Sequence, residues 1–149
     1  MSVDLSDRGL ISVDLTDKDN GELGQLRELL ARGNDIPSLP ACTDFSKLTS
    51  LLRLDLSHNF LQELSATDVD SLPTTLEFLI LHSQKVRAGV RLKGSLPANL
   101  GRLAELREVN INLNHIERLP ESIGELVRLF FALAPQTVIS ECEILVQTN

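Results

Sequence analysis

The chain has 149 residues, of which 42% are apolar and 23% charged, a composition typical of one folded domain. Its 14 lysines and arginines against 21 acidic residues give a net charge of −7, which argues against binding to a nucleic-acid backbone. It contains no run of about 18 apolar residues, which argues against membrane insertion, and its acidic start shows no basic-then-apolar leader, so we expect a cytoplasmic protein.

Leucine occupies 30 positions, whereas the chain has five phenylalanines and neither tyrosine nor tryptophan. A core built almost entirely on leucine indicates one packing unit that is used repeatedly. Near the start, Val3, Leu5 and Leu10 fit a degenerate first unit. The acidic residues around them are expected to protect the exposed end of a stack of such units.

The template L-x-x-L-x-L-x-x-N-x-L then matches the chain in four consecutive copies. The copies start near 26, 51, 76 and 106 and read LRELLARGNDI, LLRLDLSHNFL, LEFLILHSQKV and LREVNINLNHI. The polar slot of the template holds, in chain order, Asn34, Asn59, Gln84 and Asn114. A looser copy follows from Leu129, so both ends of the array are degenerate.

Four copies in register resemble the leucine-rich repeat family over essentially the whole chain. LPESIGEL (119–126) is similar to the intracellular class related to Ras-pathway scaffolds, and LKGSLPANLGRL (92–103) is similar to the plant-type class. VDLSDRGL (3–10) is similar to the opening of Ras-suppressor-type proteins. The resemblance implies a single α/β domain over 1–149, a solenoid of about five to six repeats with a scaffold or adaptor role. Its curved parallel sheet would form the concave face, and short helical, 3₁₀ or extended returns the convex face.

The residues themselves favour the same architecture. In L-x-x-L-x-L the alternation directs the inner leucines to one face of a strand and the variable residues to the other. One short strand cannot bury its leucines alone, but stacked copies form a parallel sheet over a continuous core. An inward amide side chain at the polar slot both donates and accepts hydrogen bonds. It can therefore bond to buried backbone N–H and C=O groups that would otherwise have no partner. Gln84 is one methylene longer than asparagine and is expected to fit less well.

The third copy runs for 30 residues to the next start, against 25 for each of the two before it. The surplus falls near KVRAGV (85–90) and carries Lys85, Arg87 and Arg91 in or beside it. Two interpretations stay open. The insertion is either a tolerated surface bulge or a protruding basic loop that contacts an acidic partner.

Positions 3, 5 and 7 of each copy point away from the core, where nothing in the fold requires an apolar residue. Phe78 and Ile80 nevertheless occupy adjacent outward positions, and an exposed aromatic beside apolar and arginine neighbours is typical of a protein-binding hot spot. The alternative is that Phe78 fills a local depression and only stabilises the fold. The predicted partner-binding residues are Arg53, Asp55, Phe78, Ile80, His82, Glu108 and Asn110.

The C-terminal part is harder to interpret. Positions 3 and 5 of the last copy hold Phe131 and Leu133, whose orientation stays open. The segment 138–149 alternates apolar with polar residues. Two interpretations stay open: a strand that caps the last repeat, or an exposed edge through which two copies of the chain associate. Cys42 and Cys142 lie about four strand spacings apart, roughly 19 Å, which is too far for a disulfide, so we expect two free thiols.

Residues that support chemistry are few. His58 and His82 fall at neighbouring positions of adjacent copies, so their rings are expected to approach each other, and His115 is the only other imidazole. Two histidines without cysteine and carboxylate partners make a weak metal site. No P-loop, G-x-S-x-G or H-E-x-x-H motif occurs. We therefore expect no catalytic residue, no metal ion and no cofactor.

These observations predict a non-enzymatic protein–protein interaction module, a signalling scaffold or adaptor that binds a protein partner on its concave face. The subclass resemblance implies a component of a small-GTPase pathway as the partner. Two alternatives stay open. The chain is either the substrate-recognition fragment of a larger enzyme, such as a ubiquitin ligase, or an extracellular receptor-like recognition domain.

Overall fold

The computed structural model describes residues 1–39, 43–87, 89, 91–126 and 130–132, which form a mixed α/β structure of short elements. The helices are α1 (Asn20–Gly24) and α2 (Ala66–Ser71), with 3₁₀ turns at Phe45–Lys47, Ala98–Arg102 and Glu121–Glu125. The strands are β1 (Ser2–Asp4), β2 (Glu28–Leu30), β3 (Arg53–Asp55), β4 (Phe78–Ile80), β5 (Lys93–Ser95), β6 (Glu108–Asn110), β7 (His115–Arg118) and β8 (Phe130–Ala132).

Six strands form one parallel sheet in the order β1, β2, β3, β4, β6, β8, which is their order along the chain. Each of the four predicted copies enters its strand two residues after its start, and the degenerate first unit supplies β1. The register is continuous, since Glu28 pairs with Arg53, Arg53 with Phe78 and Phe78 with Glu108. The predicted α/β class with a parallel sheet is therefore confirmed.

β5 follows the inserted residues of the third copy and pairs in parallel with β7 of the fourth copy in a separate two-stranded sheet. β5 lies between β4 and β6 in sequence but outside the six-stranded sheet.

The core lies on one side of the sheet, as the alternation of the template predicts. The central residues of the middle strands, Leu29, Leu54, Leu79 and Val109, are fully buried and belong to one continuous hydrophobic cluster. The helical returns bury residues in the same cluster. The LPANLGRL (96–103) and LPESIGEL (119–126) segments form 3₁₀ turns after Pro97 and Pro120, and these turns pack against each other.

The last copy departs from the predicted alignment by one residue. Phe130 pairs with Glu108, and Phe131 pairs with Val109 in the row that contains the buried strand centres. The register therefore places Phe131, whose orientation the sequence left open, in the row of the strand centres. The sequence did not fix this alignment, because the degenerate copy has small residues in its strand slots. Leu133, both cysteines and the segment 138–149 lie outside the described residues.

The four amides at the polar slot form a ladder through the fold, which we call the amide ladder (Asn34, Asn59, Gln84 and Asn114). Asn59 is fully buried, and its Nδ2 donates to the Ala31 carbonyl of the preceding copy at 2.9 Å and to Leu56 at 3.1 Å. Its Oδ1 accepts from the Ile36 N–H of the preceding copy at 3.1 Å. Each amide thus closes its own turn and ties it to the turn before.

Gln84 repeats this arrangement, contrary to the expectation that it fits less well. Its Nε2 donates to Leu56 at 2.8 Å and to Leu81 at 3.0 Å, and its Oε1 accepts from the Leu61 N–H at 2.9 Å. The side chain is 1% exposed. The additional methylene is accommodated because the amide still reaches the corresponding groups of the neighbouring copy.

A left-handed backbone residue precedes every amide of the ladder. Gly33, His58, Ser83 and Leu113 have φ angles of 69°, 55°, 55° and 57°. The chain must turn sharply at the end of the strand to bring the following amide inward. Glycine adopts this conformation freely, whereas a residue with a Cβ is strained there. A Cβ at Gly33 would also overlap the carboxylate of Asp7.

We expect Asn59→Ala to lower the free energy of unfolding by about 3 kcal/mol, because it leaves several buried backbone groups without partners. Urea denaturation followed by circular dichroism measures this. Asn20→Ala is the matched control, since Asn20 is exposed, and it should change stability by less than about 0.5 kcal/mol. Equal effects of the two variants would contradict a structural role for the ladder.

Substitutions at two of the left-handed positions should change the free energy of unfolding in opposite directions. Leu113→Gly relieves backbone strain at an exposed side chain and should raise the free energy of unfolding by about 0.5–1 kcal/mol. Gly33→Ala introduces backbone strain and displaces the exposed Asp7 side chain, so it should lower the free energy of unfolding by about 1 kcal/mol. The same denaturation assay compares both variants with the parent chain. A stabilised Gly33→Ala variant would show that this conformation is not required.

Candidate functional site

The face of the six-stranded sheet away from the core carries the predicted partner-binding residues, and we call it the open face. The parallel register places Glu28, Arg53, Phe78 and Glu108 in one row across adjacent strands. Leu30, Asp55, Ile80 and Asn110 form a second row beside it. The structure therefore brings six of the seven predicted residues side by side in these two rows, and His82 follows at the end of β4.

The centre of the open face is a cation–π pair. The Arg53 guanidinium carbon lies 5.6 Å from the centroid of the Phe78 ring, and both residues are partly exposed. The same row continues to Glu28 on one side and to Glu108 on the other. An aromatic ring with an arginine beside it thus lies between two carboxylates, an arrangement that offers apolar and charged contacts at one place.

Ile80 contributes less surface than its outward position predicted. It is only 4% exposed, although it lies outside the hydrophobic core cluster. Its row neighbours are Asp55 and Asn110, one strand spacing away on either side. Strands about 4.8 Å apart bring neighbouring side chains close enough to cover a short branched residue. The prediction that Ile80 is exposed was therefore wrong, and Phe78 is the aromatic contact that remains accessible.

Asp55 and Asn110 also have local structural roles. Asp55 Oδ1 accepts from the Ser57 N–H at 3.0 Å and from the Ser57 hydroxyl at 2.7 Å, and Asn110 Oδ1 accepts from the Asn112 N–H at 3.2 Å. These are turns in which a short polar side chain closes onto the backbone two residues later. The D-x-S pattern of the sequence could have revealed the first, because Asp-x-Ser/Thr recurs at Asp4, Asp14 and Asp44 with the same bond.

The two neighbouring histidines approach each other as predicted. The ring centroids of His58 and His82 lie 5.2 Å apart in an edge-to-face arrangement with an angle of 85°. The Nδ1 atom of His82 is 3.1 Å from the Ser83 hydroxyl. Within the part of the chain that the structure describes, no group of three or more histidine, cysteine or acidic residues is placed to hold a metal ion.

Burial lowers the pKa of His82 below its ordinary value of 6.5, and the neighbouring His58 lowers it further. Asp55 and Glu108 oppose this effect by favouring the charged ring, whereas Arg32 adds to it. Desolvation and a like charge both disfavour the imidazolium form. His82 is therefore neutral at physiological pH and adds no positive charge to the open face.

The basic residues of the insertion fold back onto neighbouring copies, which places them on a separate surface. Lys85 Nζ lies 2.8 Å from Asp35 Oδ1 and 2.7 Å from the Asn34 carbonyl oxygen. To reach them it crosses the Phe60 ring, whose centroid is 5.0 Å from Nζ. The Arg87 guanidinium lies at the same distance from that ring, and Arg91 donates to the Leu113 carbonyl at 3.1 Å.

Sequence reasoning missed Phe60, although a signal was present. Asp35, Phe60 and Lys85 each follow directly after an amide of the ladder, so they occupy the same position in three successive copies. Aligning that position would have placed an acid, an aromatic ring and a base side by side. Since only the outward strand positions were compared, the contact was not predicted.

A concavity with a volume of about 620 Å³ lies on the helical side of the molecule, between residues 43–49 and 67–75. The threonines and serines that line it make it rich in hydroxyl groups. Arg102 lies at its edge, but its guanidinium donates to the Leu72 carbonyl at 2.7 Å and to that of Val69. This arginine therefore connects the returns of two copies and is occupied by the fold.

In the described ranges, none of the helices has the length and apolar character that crossing a membrane requires. Comparison of the chain with protein-family models and with curated proteins finds no match.

The position of His82 predicts how stability depends on pH. Because the pKa of His82 is lower in the folded state, the unfolded state takes up this proton first as the pH falls below about 6.5. The free energy of unfolding should therefore decrease from pH 7 towards pH 5. His82→Gln should flatten this slope in urea titrations at several pH values. Asn20→Gln, an exposed substitution between two groups that do not titrate, should leave the slope unchanged, and equal slopes for all three proteins would contradict the assignment.

Proposed function

We propose that this protein is a leucine-rich-repeat solenoid that acts as a non-enzymatic protein–protein interaction module and binds its partner on a concave face. The observation that carries the proposal is the accessible Phe78 ring with Arg53 beside it, in a strand row where Glu28 and Glu108 lie on either side of the pair. Aromatic and arginine residues are the types most enriched among the residues that dominate binding energy.

The stacking supports the repeat architecture. All six strands of the sheet follow chain order, and the amide ladder joins successive copies through equivalent hydrogen bonds. Strands stack about 4.8 Å apart, whereas helices need about 8–10 Å, so a stack with strands on one side and helical returns on the other bends towards the strands. This difference in spacing is the physical reason to expect the open face on the concave side.

The state of the polar groups favours binding over chemistry. Ser57 is fully buried and its hydroxyl donates to Asp55, so it is not presented to a substrate beside His58. The ring partner of His82 is another imidazole, which lowers its pKa instead of raising its basicity as a carboxylate would. The open face therefore offers shape, an aromatic contact and fixed charges rather than an activated nucleophile.

The partner we propose is a protein of a cytoplasmic signalling pathway, with a small-GTPase-pathway component as the candidate implied by the repeat subclass. The carboxylates Glu28 and Glu108 flank the Phe78–Arg53 pair on the open face. A complementary partner would place an apolar side chain on Phe78 and a basic residue beside one of these acids. The role of the protein is then that of a scaffold or adaptor.

Phe78→Asp should abolish partner capture in affinity purification from the source cell, read by mass spectrometry. Against a purified partner, the dissociation constant should rise by about 30-fold, the size expected for a residue that dominates an interface. Ile80 is unsuitable for this test, because a charge at a buried position would unfold the chain.

Ile11→Asp is the matched control, since Ile11 is 72% exposed and lies outside the open face. It makes the same kind of change without touching the proposed site and should leave capture intact. Circular dichroism first establishes that both variants are folded. Retention of every specific partner by a folded Phe78→Asp variant would refute binding at this face.

A further inference from the structure

The inserted segment and the turns beside it form a second surface, which we call the basic edge: Phe60, Lys85, Val86, Arg87, Arg91 and Leu113. It lies at the loops that follow the strands and shares no residue with the open face. The contacts that hold it are those of Lys85 with Asp35, of Arg87 with Phe60 and of Arg91 with the Leu113 carbonyl.

Positive charge is concentrated in the stretch of sequence that contributes most of this surface. Residues 78–104 contain five cations and no acidic residue, whereas the rest of the chain carries nine cations and all 21 acidic residues. Charges of one sign close together repel each other, so a fold gains nothing by collecting them. Lys85 is neutralised by Asp35, but within the described residues no carboxylate forms an ion pair with Arg87 or Arg91.

Apolar side chains are exposed at the same place. Val86 is 51% exposed and Leu113 is 44% exposed, and they are two of the four large hydrophobic residues that are exposed in the described part of the chain. Leu113 also holds a strained left-handed backbone that glycine or asparagine would adopt at lower cost. Stability does not explain a leucine at that position.

Hydrogen bonds within the unbound protein hold both ends of the insertion in place. Lys85 bridges to Asp35 of the first copy over the Phe60 ring of the second, and the Lys85 N–H donates to the Asn59 carbonyl at 2.6 Å. At the other end, β5 begins where the Lys93 N–H donates to the Gln62 carbonyl at 3.0 Å. Fixed ends reduce the conformational entropy that binding would otherwise cost.

We propose that the basic edge is a second docking site, whose occupant is an acidic, aliphatic peptide segment of another protein. Its carboxylates accept hydrogen bonds from the Arg87 and Arg91 guanidinium groups, whose paired N–H donors suit bidentate binding. An aliphatic side chain of the segment covers Val86 and Leu113. This site goes beyond the partner-binding function of the open face, and the net acidity of the open-face rows makes the two surfaces electrostatically opposite.

Charge also selects a short segment over larger anions. Outside 78–104 the chain has 12 more acidic than basic residues, so a nucleic acid or an anionic bilayer that extended past the basic edge would meet like charge. A peptide segment that covers only this edge avoids the repulsion, because screening limits it to about 8–10 Å at physiological salt.

The test uses the full chain, immobilised and exposed to a phage library of short random peptides. Selected peptides should be enriched in aspartate, glutamate and aliphatic residues. The best peptide is then synthesised and titrated by fluorescence anisotropy. Arg87→Glu/Arg91→Glu should weaken its binding by about tenfold or more, and raised salt should weaken binding to the parent chain.

Matched variants locate the site. Lys47→Glu/Arg118→Glu changes the net charge equally at exposed positions elsewhere and should leave affinity within about twofold. Leu113→Asn suits the left-handed backbone, so it should weaken binding without loss of stability. Phe78→Asp should bind the peptide as the parent does, which separates this site from the proposed function of the open face.

Three results would overturn the proposal. Unchanged affinity of the folded arginine variant would show that the peptide binds elsewhere, and equal losses in both charge-reversal variants would show an effect of net charge alone. Tighter binding of phosphatidylserine vesicles or of a DNA duplex than of the acidic peptide, lost in the same arginine variant, would show that the occupant belongs to another class.

Discussion

The structure depends on how one buried amide per copy satisfies the backbone of two successive turns. A strand of three residues has few hydrogen bonds of its own, and the turn that leaves it buries carbonyl and N–H groups that water cannot reach. Asn34, Asn59, Gln84 and Asn114 pair these groups within and between copies. Because each amide reaches back to the preceding copy, the ladder sets the relative position of neighbours, and the parallel register of the sheet follows from it.

The repeated core and turn contacts involve only some positions of each copy, so the other positions are available for binding. Once leucines fill the inward row and amides close the turns, the outward strand residues and the loops after the strands carry few structural demands. The open face uses this freedom for an aromatic ring and an arginine between carboxylates, and the basic edge uses it for two arginines beside exposed aliphatic side chains. Two surfaces of different charge, one on the sheet and one at the loops after its strands, suit a protein that joins two partners, which fits the adaptor role we propose.

Several details depended on contacts that no single copy reveals. The repeat pattern predicted the row of Arg53 and Phe78 correctly, since the register follows from the template. It did not predict that Ile80 is covered, because exposure depends on side chains from both adjacent strands. Likewise, the sequence left open whether Lys85 lies in a surface bulge or in a protruding basic loop, and it did not predict that this side chain lies over Phe60 and pairs with Asp35 two copies away. Such a contact depends on the lateral stacking of three turns.

The sequence by itself determined the α/β class, the positions of the middle strands, the inward leucines and the identity of the amide ladder. These features have a period, and the requirement to bury apolar side chains and pair backbone groups acts identically in every copy. The tertiary structure alone decided the exposure of Ile80, the fit of Gln84, the alignment of Phe131 and the path of the inserted segment. Each of these depends on which side chains of neighbouring copies come within contact distance, and a template written for one copy does not contain that distance.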